Sequence, residues 1–201
     1  MSLKIKRKSA VAIPPVDADT YEAILVGVVD LGEQYNQYYN KYEDRILLIF
    51  ELPDETVEID GEQKPRWLSK EFNSSLDSKS NLSKFITNWR GMPFTDDELT
   101  HGYDMKVLLG NAGFLSVGLE EGKDGKQYNR INGMSALPKK MPVPITNNEL
   151  LWFDMDEWNN DVFAKLPGWV QDRIKKSTQY QKNHAPDPTV EVKATETECP
   201  I

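Results

Sequence analysis

Two apolar runs near the start of the chain constrain the fold more than any other feature. Residues 20–31, TYEAILVGVVDL, alternate loosely around β-branched side chains, and residues 45–52, RILLIFEL, are apolar almost without a break. The first reads as a strand, and the second as a strand buried on both faces. Pro53 is expected to end the second strand, and Asp60-Gly61 is a hairpin-type turn pair. Residues 66–73, RWLSKEFN, then alternate Arg66, Leu68, Lys70 and Phe72 against Trp67, Ser69 and Glu71, which predicts a third strand.

The periodicity changes after residue 78. Leu82, Phe85, Ile86 and Trp89 recur at helical spacing within KSNLSKFITNWRG (79–91), so Trp89 belongs to a core stripe and Gly91 to the helix stop. Thr95-Asp96-Asp97-Glu98 is a capping box that opens a short second helix, and 103–110 reads as a further helical turn. Two more strands, 112–120 and 127–137, flank the hairpin signal Asp124-Gly125. Three strands, a helix and two strands make a mainly β fold with α. The order fits a five-stranded OB-fold barrel over residues 20–142, with a helix between strands 3 and 4.

The flanks differ in texture. Residues 1–19 carry Lys4, Lys6, Arg7 and Lys8 ahead of Pro14-Pro15 and read as a flexible basic arm. Past Pro138, Pro142 and Pro144, residues 143–182 are rich in aromatics, and Pro167 sits at a favoured helix start. This predicts a helical extension that packs its aromatics on the barrel or on a partner. Residues 183–201 are polar and Pro-containing, with Asp187, Glu191, Glu196 and Glu198 against one lysine, and read as a disordered acidic tail.

Several phrases carry a resemblance. DLGEQ (30–34), FELPDE (50–55), KSNLSKFITNWRGMPFTDDEL (79–99), GKDGKQYNRI (122–131) and LPGWVQDRIKKSTQY (166–180) resemble a family of small phage and prophage proteins. The resemblance spans about residues 20–180. It implies single-stranded DNA binding on an OB-like core, in phage DNA replication or recombination. It supplies structural landmarks and no catalytic signature.

Composition narrows the chemistry. One cysteine, Cys199, and two distant histidines, His101 and His184, argue against a zinc site and against Ser-His or Cys-His catalysis. The net charge of −8 speaks against nucleic acid as a partner, but the basic arm and acidic tail make whole-chain charge a poor guide to one face. No apolar stretch approaches the ~20 residues that cross a bilayer, and the start lacks an apolar signal region, so a cytoplasmic protein is expected. The expected activity is non-enzymatic, with no cofactor and no metal.

Binding single strands without sequence preference needs cations for phosphates and exposed aromatic faces for bases. YNQYYNKYEDR (35–45), between the first two strands, offers Tyr35, Tyr38, Tyr39 and Tyr42 for stacking, with Lys41 and Arg45 for phosphate. The same spacing is helical, so one packed face is the competing reading. The third strand offers the face Arg66, Lys70 and Phe72, and the last hairpin offers Lys123, Lys126, Tyr128 and Arg130. The tail, ending Pro200-Ile201, resembles the acidic ends of bacterial single-strand-binding proteins, which implies recruitment of replication or recombination proteins. It lacks their dense acidic run and terminal phenylalanine. Two other functions compete: a protein-interaction or virion module using the aromatic extension, and a metal-dependent phage nuclease built on Asp54-Glu55 or Asp96-Asp97-Glu98.

Overall fold

A computed structural model describes residues 13–59 and 61–183. The basic arm up to residue 12, Asp60, His184 and the acidic tail, with Cys199, lie outside the described residues. The described residues are mainly β, with a six-stranded sheet and five helices. β1 (Asp19–Asn36), β2 (Lys41–Ile59), β3 (Glu62–Asn73), β4 (Ala112–Glu121) and β5 (Gln127–Ala136) lie in the order β3-β2-β1-β4-β5 with antiparallel neighbours. A sixth strand, β6 (Leu151–Phe153), runs parallel to β1. It falls inside the extension that the sequence predicts as helical.

The strands run longer than their apolar centres. β2 does not stop at Pro53 but continues to Ile59, because the ladder with β3 skips from Leu52 to Thr56. A bulge there removes Pro53 from any position that needs a backbone donor. β1 also carries a bulge, at Val26 between the pairs Leu25–Phe50 and Gly27–Ile49. Strand alternation therefore changes parity at that residue.

The centre of the sheet, β1 and β2, is buried on both faces. The inner core takes Ala23, Leu25 and Val28 from β1, Ile46, Leu48, Phe50 and Leu52 from β2, and residues of β3, β4 and β5. α1 (Asn81–Arg90) closes it with Leu82, Phe85, Ile86 and Trp89. That helix starts where the Ser80 hydroxyl accepts from the Ser83 amide at 3.0 Å, a side-chain cap for an otherwise orphaned donor. It stops at Gly91, whose left-handed backbone suits a residue without a Cβ. The Trp89 indole N–H donates to the Ala112 carbonyl, which ties the helix to β4. α2 (Asp96–His101) has the complete capping box, with both Thr95–Glu98 bonds formed.

The outer face of β1 and β2 presents Ile24, Val26, Val29, Leu31, Leu47 and Ile49. Leu151 and Phe153 of β6 cover it together with Leu166, and with Val170 and Ile174 of α4 (Gly168–Ile174). α3 (Asn160–Lys165) and α5 (Thr178–Asn183) complete this layer. The extension therefore packs on the protein's own sheet. Its seat is Asp30–Gln34. Asp30 accepts from the Met155 amide, and the Glu33 amide donates to Gln179 Oε1 at 2.8 Å. The buried Gln34 amide donates to the carbonyls of Leu31 and Arg173 at 2.7 and 3.0 Å. Gly32 has a positive φ and no room for a side chain, since a Cβ there would crowd Gln179 Oε1 and Ser177.

The sheet is not closed into a barrel. Among the described residues no ladder joins β3 to β5, and the two edges meet through Lys70 Nζ, which donates to the Ile131 carbonyl at 2.7 Å. Residues 13–18, expected as part of a flexible arm, are laced across the same gap. Arg66 of β3 donates to the Pro14 carbonyl, and Asn129 of β5 exchanges two hydrogen bonds with the Val16 backbone. Among the described residues, no helix is long and apolar enough to cross a membrane.

Candidate nucleic-acid interface

The tyrosine stretch is a β-hairpin tip. β1 ends at Asn36, the chain turns, and β2 begins at Lys41, so the helical alternative is overturned. Polar side chains build the turn. The Asn36 side chain accepts from the Tyr38 amide, Asn40 takes the left-handed conformation, and the Tyr35 hydroxyl donates to Asn40 Oδ1. Tyr35 and Tyr42 face each other across the ladder, with ring centroids 5.2 Å apart, as cross-strand aromatic pairs do. Tyr38 and Tyr39 project from the tip at 90% and 68% exposure, their rings edge to face at 5.9 Å. All four rings are exposed.

The cations beside them are less available than the sequence suggests. Lys41 pairs with Glu43 at 2.8 Å and stands 5.5 Å from the Tyr39 ring centre. Arg45 lies between Glu43 and Glu71, at 3.4 and 3.6 Å. Hydrogen bonds from the Lys41 ammonium and the Asn36 amide hold the Glu43 carboxyl below the usual carboxylate range.

β3 corrects a second expectation. Arg66, Lys70 and Phe72 do share a face, but it is the inner face. Phe72 is buried against Phe85, with ring centres 5.1 Å apart, and cannot stack on a base as it stands. Arg66 is buried and bound to Pro14. Lys70 is half-buried over the Phe72 and Phe85 rings, and burial is the first cause that pushes its ammonium pKa down, with repulsion from Arg130 second.

The last hairpin forms where expected, with Lys123, Lys126, Tyr128 and Arg130 all exposed. Tyr128 donates to Asp124 at 2.8 Å, a bond that lowers the Asp124 carboxyl pKa and raises that of the Tyr128 hydroxyl. Arg130 pairs with Glu120 at 3.4 Å, and Lys126 with Asp124 at 3.7 Å.

Two clefts connect these groups. One of about 530 Å³ runs from Tyr39 and Arg45 past Lys70 to Lys79 and Ser80, at the start of α1. The other, about 700 Å³, lies between Arg66–Ser69 of β3 and Lys126–Asn129 of the last hairpin. The two share no lining residue and abut at the Lys70–Ile131 bond, which together with residues 13–18 bridges the β3–β5 gap between them. Sequence reasoning missed Lys79 and Ser80, which come to the first cleft through the loop before α1. Among the described residues no group of three or more His, Cys, Asp or Glu is placed to hold a metal ion. Asp96, Asp97 and Glu98 occupy the first turn of α2, where carboxylates offset the helix dipole. No protein-family model matches the chain, and no curated protein matches it.

Proposed function

We propose that the protein binds single-stranded DNA across the two clefts that flank the β3–β5 gap, without catalysis, in phage-type replication or recombination. The observation that carries this reading is the tyrosine hairpin: four exposed rings on a two-stranded support, of which Tyr39 lines a cleft that also holds Arg45, Lys70 and Lys79. Tyr35 and Tyr42 also support the hairpin, but the tip rings Tyr38 and Tyr39 are mostly in water, and a flat π-face that covers them gives the surface a use. The strand order, the position of α1 between β3 and β4, and the unpaired edges support an OB-like barrel left open along one seam. In that arrangement the tyrosine hairpin and the β4–β5 hairpin are the two binding loops.

The test is fluorescence anisotropy of a labelled oligo-dT with the full chain. Saturable binding is expected at about 50 mM salt, weakening strongly by about 200 mM as phosphate counterions are retained. Duplex DNA should compete poorly, because its bases present no free faces. No anisotropy rise at low salt would refute the proposal.

One observation favours a protein-docking module instead: Trp169 on α4 is half exposed, on the side of the helix away from Val170 and Ile174. Trp169→Ala should leave oligo-dT affinity unchanged if the two clefts are the working surface.

A further inference from the structure

Arg45 is a largely buried cation that its neighbours hold loosely. Its side chain is only 20% exposed, and its Nε is buried without a hydrogen-bond partner. Native proteins rarely leave such a donor unpaired, because desolvation without a hydrogen bond is costly. Two carboxylates lie within ion-pair distance, yet each is held more closely by another group. Glu43 accepts from Lys41 at 2.8 Å and from Asn36 at 2.7 Å. Glu71 accepts two bonds from Arg173 of α4, Nη2 to Oε1 at 2.9 Å and Nε to Oε2 at 3.3 Å. Its distance to Arg45 Nε is 3.6 Å, too long for a hydrogen bond. Arg45 thus lines the 530 Å³ cleft with its Nε unpaired and its Nη2 held only by the 3.4 Å ion pair to Glu43, beside Lys70, Lys79 and the ring of Tyr39.

We infer that this cleft seats one backbone phosphate of a bound single strand, with Arg45 as its ligand. Arg173 is then the positioning residue that keeps Glu71 from neutralising Arg45. The inference rests on the proposed single-strand reading and deepens it. A guanidinium fork matches two phosphate oxygens, whereas a stacked base on Tyr39 would set the adjacent phosphate at the mouth of the cleft. The C-terminal extension is thereby part of the binding site although it packs on the outer face of the sheet. Among the described residues, Arg45 is the other cation within ion-pair distance of Glu71, so without Arg173 the Glu71 carboxylate turns to Arg45.

The experiment measures oligo-dT affinity against salt for the full chain and four variants, each first shown to be folded by its thermal transition. Arg45→Gln should weaken binding on the order of tenfold and reduce the slope of log affinity against log salt by about 0.7, the loss of one phosphate contact. Arg173→Gln should weaken binding in the same direction although it touches no strand. Glu71→Gln should bind as tightly as wild type or more so. The double variant Glu71→Gln/Arg173→Gln decides the matter: recovery to wild-type affinity is expected, since the carboxylate that captures Arg45 is gone. A double variant as weak as Arg173→Gln would mean a merely structural role for Arg173 and overturn the inference. An unchanged salt slope for Arg45→Gln would overturn it as well. If wild type binds but these results fail, only the phosphate seat falls; if wild type does not bind, the single-strand reading falls with it.

Discussion

Removing the tip rings of the tyrosine hairpin separates binding from folding better than any other change. Tyr38 is 90% exposed and Tyr39 68%, and their main aromatic contact is with each other at 5.9 Å. Little packing is therefore lost in Tyr38→Ala, and its effect on stability should stay within about 0.5 kcal/mol, the range of ordinary surface substitutions. Stacking one base on an aromatic face is worth about 1–3 kcal/mol. If Tyr38 or Tyr39 stacks a base, the corresponding alanine variant should lose roughly 5- to 150-fold in oligo-dT affinity. The double variant should lose more than either alone, because the surviving ring otherwise remains available. Leu99→Ala, which removes a comparably exposed apolar side chain from α2, is the control and should leave affinity unchanged. Anisotropy titrations and urea unfolding of the same samples give both numbers. Affinity within about twofold of wild type for the double variant, with the fold intact, would refute the stacking role of the hairpin.

Other outcomes follow from packing and charge. Phe153 is a buried ring that meets the Trp158 ring at 5.1 Å and also packs against Phe163. Phe153→Ala should destabilise the chain by about 3–5 kcal/mol in urea; a loss under about 1 kcal/mol would mean that the outer layer does not stabilise the sheet. A Cβ at Gly113 would collide with the Ser135 carbonyl oxygen and with Trp89 Nε1, whereas one at Gly133 would meet nothing. Gly113→Ala should therefore cost about 1–3 kcal/mol and Gly133→Ala should be close to neutral by the same unfolding measurement. Burial raises the Asp30 carboxyl pKa, against hydrogen bonds from the Gly32 and Met155 amides. The folded state therefore holds that proton more tightly than the unfolded chain, and stability from this group declines as pH rises from the ordinary carboxylate value through the raised one. Asp30→Asn cannot ionise, so its stability relative to wild type should improve as pH rises above the ordinary carboxylate value of about 3.9, read from urea midpoints; a flat difference would contradict the assignment.

The parts legible in sequence are those fixed by neighbours within a few residues. The stripe Leu82, Phe85, Ile86 and Trp89 makes α1, Thr95 and Glu98 make the cap of α2, and Asp124-Gly125 makes the last hairpin. The missed parts depend on partners far along the chain. β6 is three residues long and exists because β1 offers a free edge beside Gly27–Val29. Arg66 looks like a groove cation in sequence because its acceptor, the Pro14 carbonyl, lies 52 positions away. The tyrosines are a different case. Their spacing is symmetrical about the midpoint between Tyr38 and Tyr39, which a hairpin also produces, and helical periodicity alone does not distinguish the two. DLGEQ and LPGWVQDRIKKSTQY, two phrases behind the family resemblance, touch each other in the fold: Glu33 with Thr178 and Gln179, and Gln34 with Arg173.

The extra residue at Val26 gives β1 a phase. Upstream of it the odd-numbered side chains, Ala23 and Leu25, enter the inner core; downstream the even-numbered Val28 does, and Val29 and Leu31 go outward. A second extra residue, Leu31, lies between the pairs Asp30–Ile46 and Gly32–Arg45, so deleting Val28 or Val29, between the two bulges, would invert the assignment for part of the strand. Side chains shaped for the α1 side would be driven under the C-terminal layer, and those of the outer core inward. Substitutions in this segment are thus a matter of volume, but changes in length are a matter of frame. Descendants of this sequence should keep the spacing from Val26 to Gly32 even where the residues between them drift.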